Sequence, residues 1–304
     1  MRFNPKARLD ASRMGDAGRS GARSGGGGRG GIPIPGGAAG GGIGTLIIIV
    51  IVVAASMLLG GGSDGGGQAT ETGRYAQCEG VVDANKSADC ARVAIENSLT
   101  DYWSDALPAQ SGTAFEPERK IETFTDGIST GCGAASADVG PFYCPVDKTI
   151  YLDTTFYDEV LERQLGGPDG GFVEAYVLAH EYGHHIQNLL GTMGKVKTQQ
   201  GAKSDAVRLE LQADCYAGMW AKAATTTQDV DGNVLIEGLT DADIQEAIDA
   251  ATAVGDDRIQ QSSGGDVDPE SWTHGSAKSR VKWFMTGDEN GTLDTCDTFA
   301  PGAL

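Results

Sequence analysis

The chain has 304 residues, long for one domain and short for two full ones, with 46 glycines and a formal net charge of −19. Twenty-one of those glycines fall within the first 67 residues, which excludes packed globular structure for the N-terminal fifth, because glycine loses the most backbone entropy on ordering and buries nothing. The remaining residues, roughly 230, can bury a sizeable core unaided, and their strongly acidic balance repels phosphate backbones and argues against nucleic acid as a partner.

Residues 1–42, rich in glycine and arginine, are expected to form a disordered arm. Ile43 to Leu59 carries no charge and lies between glycine clusters at 40–42 and 60–62. Seventeen residues rise ~26 Å as a helix, so residues 43–60 read as a single transmembrane helix. A buried core helix would need packing partners that glycine spacers do not offer. A cleaved signal peptide would need a short basic region in place of more than 40 residues. Arg2, Lys6, Arg8, Arg13, Arg19, Arg23 and Arg29 precede the apolar run, whereas Asp64 and Glu71 follow it. Positive charge then retains the arm in the cytoplasm, and a linker over 61–75 leads to an extracytoplasmic domain over 76–304. Six cysteines agree with an oxidising compartment, although six can pair in fifteen ways. Proximity in sequence pairs Cys78 with Cys90 and Cys132 with Cys144, and subtraction leaves Cys215 for Cys296.

The domain reads as α+β and mostly helical, with a small β region. Val93, Ile95, Leu99 and Trp103 recur at helical intervals over 91–106, and Pro108 is expected to stop that helix. Strand-like alternation at Lys120–Phe124 and Thr149–Leu152 brackets a loop rich in Gly, Ser and Cys. A second helix opens near Pro168, Gly170 and Gly171, runs to about Leu190, and stops at Gly191. Ser204 caps a third through Lys222, Thr240 with Asp243 starts a fourth reaching Val254, and a last one spans Ser276 to Thr286.

Three of the four histidines, His180, His184 and His185, sit within AHEYGHH. His180 and His184 are four apart, so on a helix both rings project from one face and can reach one ion. Glu181 points about 100° away, too far to be an equal ligand but placed to touch a water on that ion. Phe172, Val173, Ala175, Tyr176, Val177, Leu178, Ala179, Ile186, Leu189 and Leu190 make this helix apolar nearly all round. It is therefore buried, where unpartnered histidines and a carboxylate are costly. A catalytic zinc site needs a third protein ligand and leaves its fourth position to water. Glu210 and Asp214, four apart on the apolar stripe marked by Val207, Leu211 and Gly218, supply one ligand and one partner to a ligand histidine. Cys215 lies about 140° from Glu210 and is left to a disulfide or the core. His185 reads as a hydrogen-bonded structural residue, and His274 as a capping or core residue with a catalytic alternative.

The stretches GPFYCPVDKTIYLD (140–153), AYVLAHEYGHHIQNLLG (175–191), VRLELQADCYAG (207–218), AATAVGDDRIQ (250–260), THGSAKSRVKWF (273–284) and CDTF (296–299) resemble the neutral zinc metallopeptidases of bacteria. The resemblance covers about Cys78 to Phe299 and implies a zincin-like metallopeptidase domain with one Zn2+. By likeness to membrane-associated metallopeptidases with a Glu-x-x-Ala-Asp element, it makes Glu210 the third ligand and Asp214 its neighbour in the supporting shell. The implied enzyme is a membrane-anchored zinc peptidase acting on peptides or proteins. Glu181 is its general base, His274 or Tyr143 its donor to the oxyanion, and the Thr149–Leu152 strand a partner for extended substrate. The competing reading is a non-catalytic, metal-stabilised envelope scaffold, against which stands Glu181, since a structural site has no use for a base beside a ligand.

Overall fold

The computed structural model describes residues 1–19, 72–136, 139–163, 165–167 and 171–304. The expected transmembrane helix at 43–60 lies outside them, and among the described residues no helix is long and apolar enough to cross a membrane.

The first 19 residues correct the expectation of a disordered arm. Strand β1 (Arg2–Phe3) pairs antiparallel with β10 (Ile236–Gly238), and β2 (Arg8–Leu9) with β4 (Gly80–Val81). Strand β3 (Met14–Arg19) runs parallel to β5 (Lys120–Thr125). Only Gly15 and Gly18 of the N-terminal glycines fall in this segment, and Phe3, Ala7, Leu9 and Met14 are all buried. An average over 67 residues hid a short stretch with enough apolar side chains to fold onto the domain.

β3 and β5 belong to a four-stranded sheet in the order β3-β5-β9-β8, where β9 spans Thr149–Asp153 and β8 spans Phe142–Cys144. β9 is parallel to β5, and β8 closes the sheet antiparallel to β9. Side chains alternate between two cores, as the pleat demands. Ile121, Ile150 and Leu152 enter the large core shared with the helices, while Phe124, Phe142 and Tyr151 form a second cluster with Ala135. Ala135 lies on a hairpin of β6 (Gly127–Thr130) and β7 (Gly133–Ser136), which the Cys132–Cys144 disulfide ties to β8.

Helix α1 (Ala88–Ser111) starts where the Ser87 hydroxyl accepts from Cys90 N–H and runs past Pro108, the expected stop. Pro108 lies in the last turn, so its missing N–H removes one bond near the end, and the helix closes on Gly112 at φ +72°. The next three helices follow their sequence signals. α2 (Gly171–Leu189) ends before Gly191 at φ +70°, and α3 (Asp205–Ala223) begins with Ser204 accepting from Val207 N–H. α4 (Asp241–Ala253) opens with a reciprocal box between Thr240 and Asp243. The short α5 (Asp256–Ser262) gave no sequence signal, and α6 (Ala277–Asn290) runs four residues beyond the expected Thr286 to a cap at Gly291. The fold is mixed α and β, with six α-helices among the described residues.

All three expected disulfides form, Cys78–Cys90, Cys132–Cys144 and Cys215–Cys296. The last one fastens the C-terminal tail to α3.

Candidate metal centre

Helices α2 and α3 bring the predicted ligands together because glycine lets them approach. A Cβ at Gly183 would lie 3.1 Å from both the Cα and the carbonyl oxygen of Ala213. At this crossing His180 and His184 of α2 face Glu210 of α3, all three buried. His180 Nε2 is 3.2 Å from Glu210 Oε2, and His184 Nε2 is 3.5 Å from Glu210 Oε1. The three donor groups lie within 4.8 Å of one another.

These separations fit zinc. Ligand atoms about 2.0–2.1 Å from a tetrahedral ion stand about 3.3 Å from each other, close to the 3.2 and 3.5 Å found here. The tautomers fit as well. His180 Nδ1 lies 2.8 Å from Asp214 Oδ1, and a carboxylate held ionised can only accept, so Nδ1 donates there and Nε2 is the atom left to offer a lone pair to an ion. His184 Nδ1 lies 2.9 Å from Gln187 Oε1, whose own amide donates to the Leu209 carbonyl at 2.7 Å. Gln187 therefore presents its oxygen to His184, which likewise turns Nε2 toward Glu210.

The electrostatics ask for a cation. Burial disfavours a charged His180, yet Asp214 and Glu210 outweigh burial and push its pKa up to about 10. Glu210 is held well below the usual carboxylate range, the histidines His184, His274 and His180 overcoming the desolvation that would raise it. A divalent ion would supply the positive charge that these groups otherwise draw from protons.

Asp214 is the most fully bonded carboxylate at the centre. It accepts from His180, from the Tyr176 hydroxyl at 2.6 Å, and from Arg280 through two bonds of 2.8 and 2.9 Å. Arg280 belongs to α6, whose close packing on α3 depends on Gly218 and Gly287. A Cβ at the first would collide with the Phe284 carbonyl, and one at the second with that of Cys215. Sequence reasoning missed Arg280, Tyr176 and Gln187. Tyr176 and Gln187 had a legible signal, being one turn from a ligand histidine on the same face. Arg280 had none, because 66 residues separate it from Asp214.

Glu181 is buried beside the ligands, and its Oε2 has no hydrogen-bond partner. Burial raises its pKa against the pull of His184 and His180, while the Tyr143 backbone holds the charged form. A carboxyl whose pKa burial raises, with one oxygen free, suits a proton carrier.

The remaining candidates divide. His274 stands near Glu210; burial works to lower its pKa, but Glu210 and Asp256 raise it. Its imidazole is steadied by the Thr273 hydroxyl at 2.8 Å from Nδ1 and by Asp256 Oδ1 at 3.5 Å. Asp256, another residue missed in the sequence, fixes this turn by accepting from the N–H groups of Thr273, His274 and Gly275. Tyr143 is a correction. Its hydroxyl lies 3.0 Å from His185 Nδ1 and accepts from Asn188 at 3.0 Å, so it serves His185 and not an oxyanion. His185 is structural, as expected: Nε2 donates to the Glu116 carbonyl at 2.8 Å, and burial lowers its pKa to about 4. The Thr149–Leu152 strand is corrected too, since β9 is paired on both sides and the edge belongs to β8.

Comparison with known proteins agrees with this centre. The family model described as "Putative neutral zinc metallopeptidase" matches residues 4–299. An uncharacterized protein of Mycobacterium tuberculosis is 50% identical over 231 residues, covering 75% of this chain and 76% of that protein. The uncharacterized protein YpfJ of Escherichia coli is 42% identical over 205 residues, covering 66% of this chain and 67% of that one. No solved structure matches the chain. A match that begins within the N-terminal strands and continues past the last disulfide places the chain in the neutral zinc metallopeptidase family.

Proposed function

We propose that the protein is a zinc-dependent peptidase that hydrolyses peptide bonds, working outside the cytoplasm and attached to the membrane through residues 43–60. One observation carries the enzymatic reading: a buried Glu181 with a free oxygen directly beside two histidines whose Nε2 atoms converge on Glu210. Three disulfides support the extracytoplasmic setting.

His180, His184 and Glu210 would hold the ion, with Asp214 and Gln187 orienting the two rings. Bound zinc supplies Lewis acidity at the scissile carbonyl and makes a water acidic enough to react near neutral pH. Glu181 takes the proton at Oε2 and delivers it to the leaving amine. His274, kept in place by Asp256 and Thr273, donates to the oxygen that gains negative charge. β8, the sheet edge whose Tyr143 backbone contacts Glu181, offers main-chain groups to an extended substrate.

The test is peptide release from a mixed library by zinc-loaded protein, with Glu181→Gln alongside. The variant keeps zinc and thermal stability while cleavage falls by about 10²-fold or more. If wild type releases no peptide from a broad library, the peptidase reading fails and the scaffold reading takes its place.

A further inference from the structure

The strands formed by residues 1–19 bear on where the chain lies relative to the membrane. A single crossing at 43–60 would put this segment and residues 72–304 on opposite sides. The fold joins them. β1, β2 and β3 complete three separate sheets of the domain, and Phe3, Leu9 and Met14 enter its core. Arg13 donates to the fully buried Glu96 at 2.7 Å and faces the equally buried Glu118 at 3.6 Å. Without Arg13 two buried carboxylates would face each other with no cation between them. Asn97 clasps the backbone of Asp10, and Asp229 accepts from Arg8 N–H at 2.8 Å. The family model also begins at residue 4, inside β1–β2.

The chain leaves and re-enters the domain at one place. Thr72 N–H donates to the Asp16 carbonyl at 3.1 Å, and its hydroxyl bonds the Asp16 carboxylate at 2.6 Å. Arginines that read as a topology signal have partners within the fold: Arg2 with Glu237 at 3.2 Å, Arg13 with Glu96, and Arg19 with Asp126 at 3.0 Å. Their charge answers an acidic domain, which removes much of the basis for retaining the N terminus in the cytoplasm.

We infer from this packing that residues 1–19 and 72–304 lie on the same side of the membrane. The inference is independent of peptidase activity.

Labelling of the full-length protein in spheroplasts tests it. Lys6→Cys and Gln261→Cys each place one thiol at an exposed position, and the native cysteines are all in disulfides. A membrane-impermeant maleimide should modify both variants before lysis or neither, and either of these results supports a shared side. Labelling of Gln261→Cys in intact spheroplasts with Lys6→Cys reactive only after lysis overturns the inference. A second measurement avoids new cysteines. Trypsin cutting at Arg23 or Arg29 in detergent-purified wild type should leave the N-terminal peptide co-eluting with the domain under native conditions. Separation of the two pieces would overturn the packing itself.

Discussion

Arg280 grips Asp214 through two parallel hydrogen bonds, Nε to Oδ2 at 2.8 Å and Nη2 to Oδ1 at 2.9 Å, with both side chains buried. The pair spans α6 and α3, and the same carboxylate orients His180. Packing of the last helix is thereby coupled to one candidate metal ligand.

Replacing Arg280 with Gln should weaken zinc binding about 10–100-fold, the usual effect of disturbing a ligand's supporting partner. Lys at this position restores charge but not the planar fork, so it should recover only part of the affinity. Competition against a chromogenic chelator measures both variants. Wild-type affinity in Arg280→Gln would show that Asp214 orients His180 without help.

His274→Ala should retain one zinc per domain and reduce kcat by about 10²-fold with little change in KM, as expected for a donor that acts on developing charge. Asp256→Ala should reproduce much of that loss, because three backbone N–H groups around His274 depend on its carboxylate. Equal kcat in wild type and His274→Ala removes His274 from the chemistry.

Gly183→Ala should lower stability by about 1–3 kcal/mol, the usual range for overpacking. Its methyl would press on the Ala213 backbone and spread α2 from α3. Zinc affinity should fall with stability, since that crossing sets the distance from both histidines to Glu210. A variant with unchanged melting temperature and zinc affinity would show that the crossing tolerates a side chain.

Stability should also report on the carboxylates behind the metal helix. Burial first, and then the charge of Glu96, hold Glu118 well above the ordinary carboxylate range. Folded protein thus keeps a proton that the unfolded chain loses above about pH 4.5. Stability from this group is full below that point and declines as pH rises toward the raised folded value, by up to about 1.4 kcal/mol per unit. Glu118→Gln keeps size and polarity and removes the titration. Its melting temperature should change less between pH 5 and pH 8 than that of wild type, and parallel slopes would refute the assignment.

Much of the centre was legible because its information is local. The spacing of His180, Glu181 and His184, the pairing of Glu210 with Asp214, the caps at Ser204 and Thr240 and the glycine stop at Gly191 all rest on helical periodicity over a few residues. The disulfides followed because two of them close short loops and left one remaining pair. Periodicity ends at the helix, however. That Arg280 meets Asp214, that Asp256 ties down His274, and that the Tyr143 hydroxyl turns to His185 depend on which elements pack together. No local rule specifies such contacts between residues far apart in sequence. The N-terminal strands make the same point with opposite sign. Composition from 1 to 67 reads as unstructured, yet short strands, two of them only two residues long, need no pattern of their own when β4, β5 and β10 supply hydrogen-bonding edges. The sequence by itself determined the helix pair that carries the candidate ligands, through side-chain spacing alone. Only the tertiary structure decided which edge of the sheet is free, which residues support the ligands, and that the first 19 residues belong to the domain, because burial and pairing are properties of the assembled core.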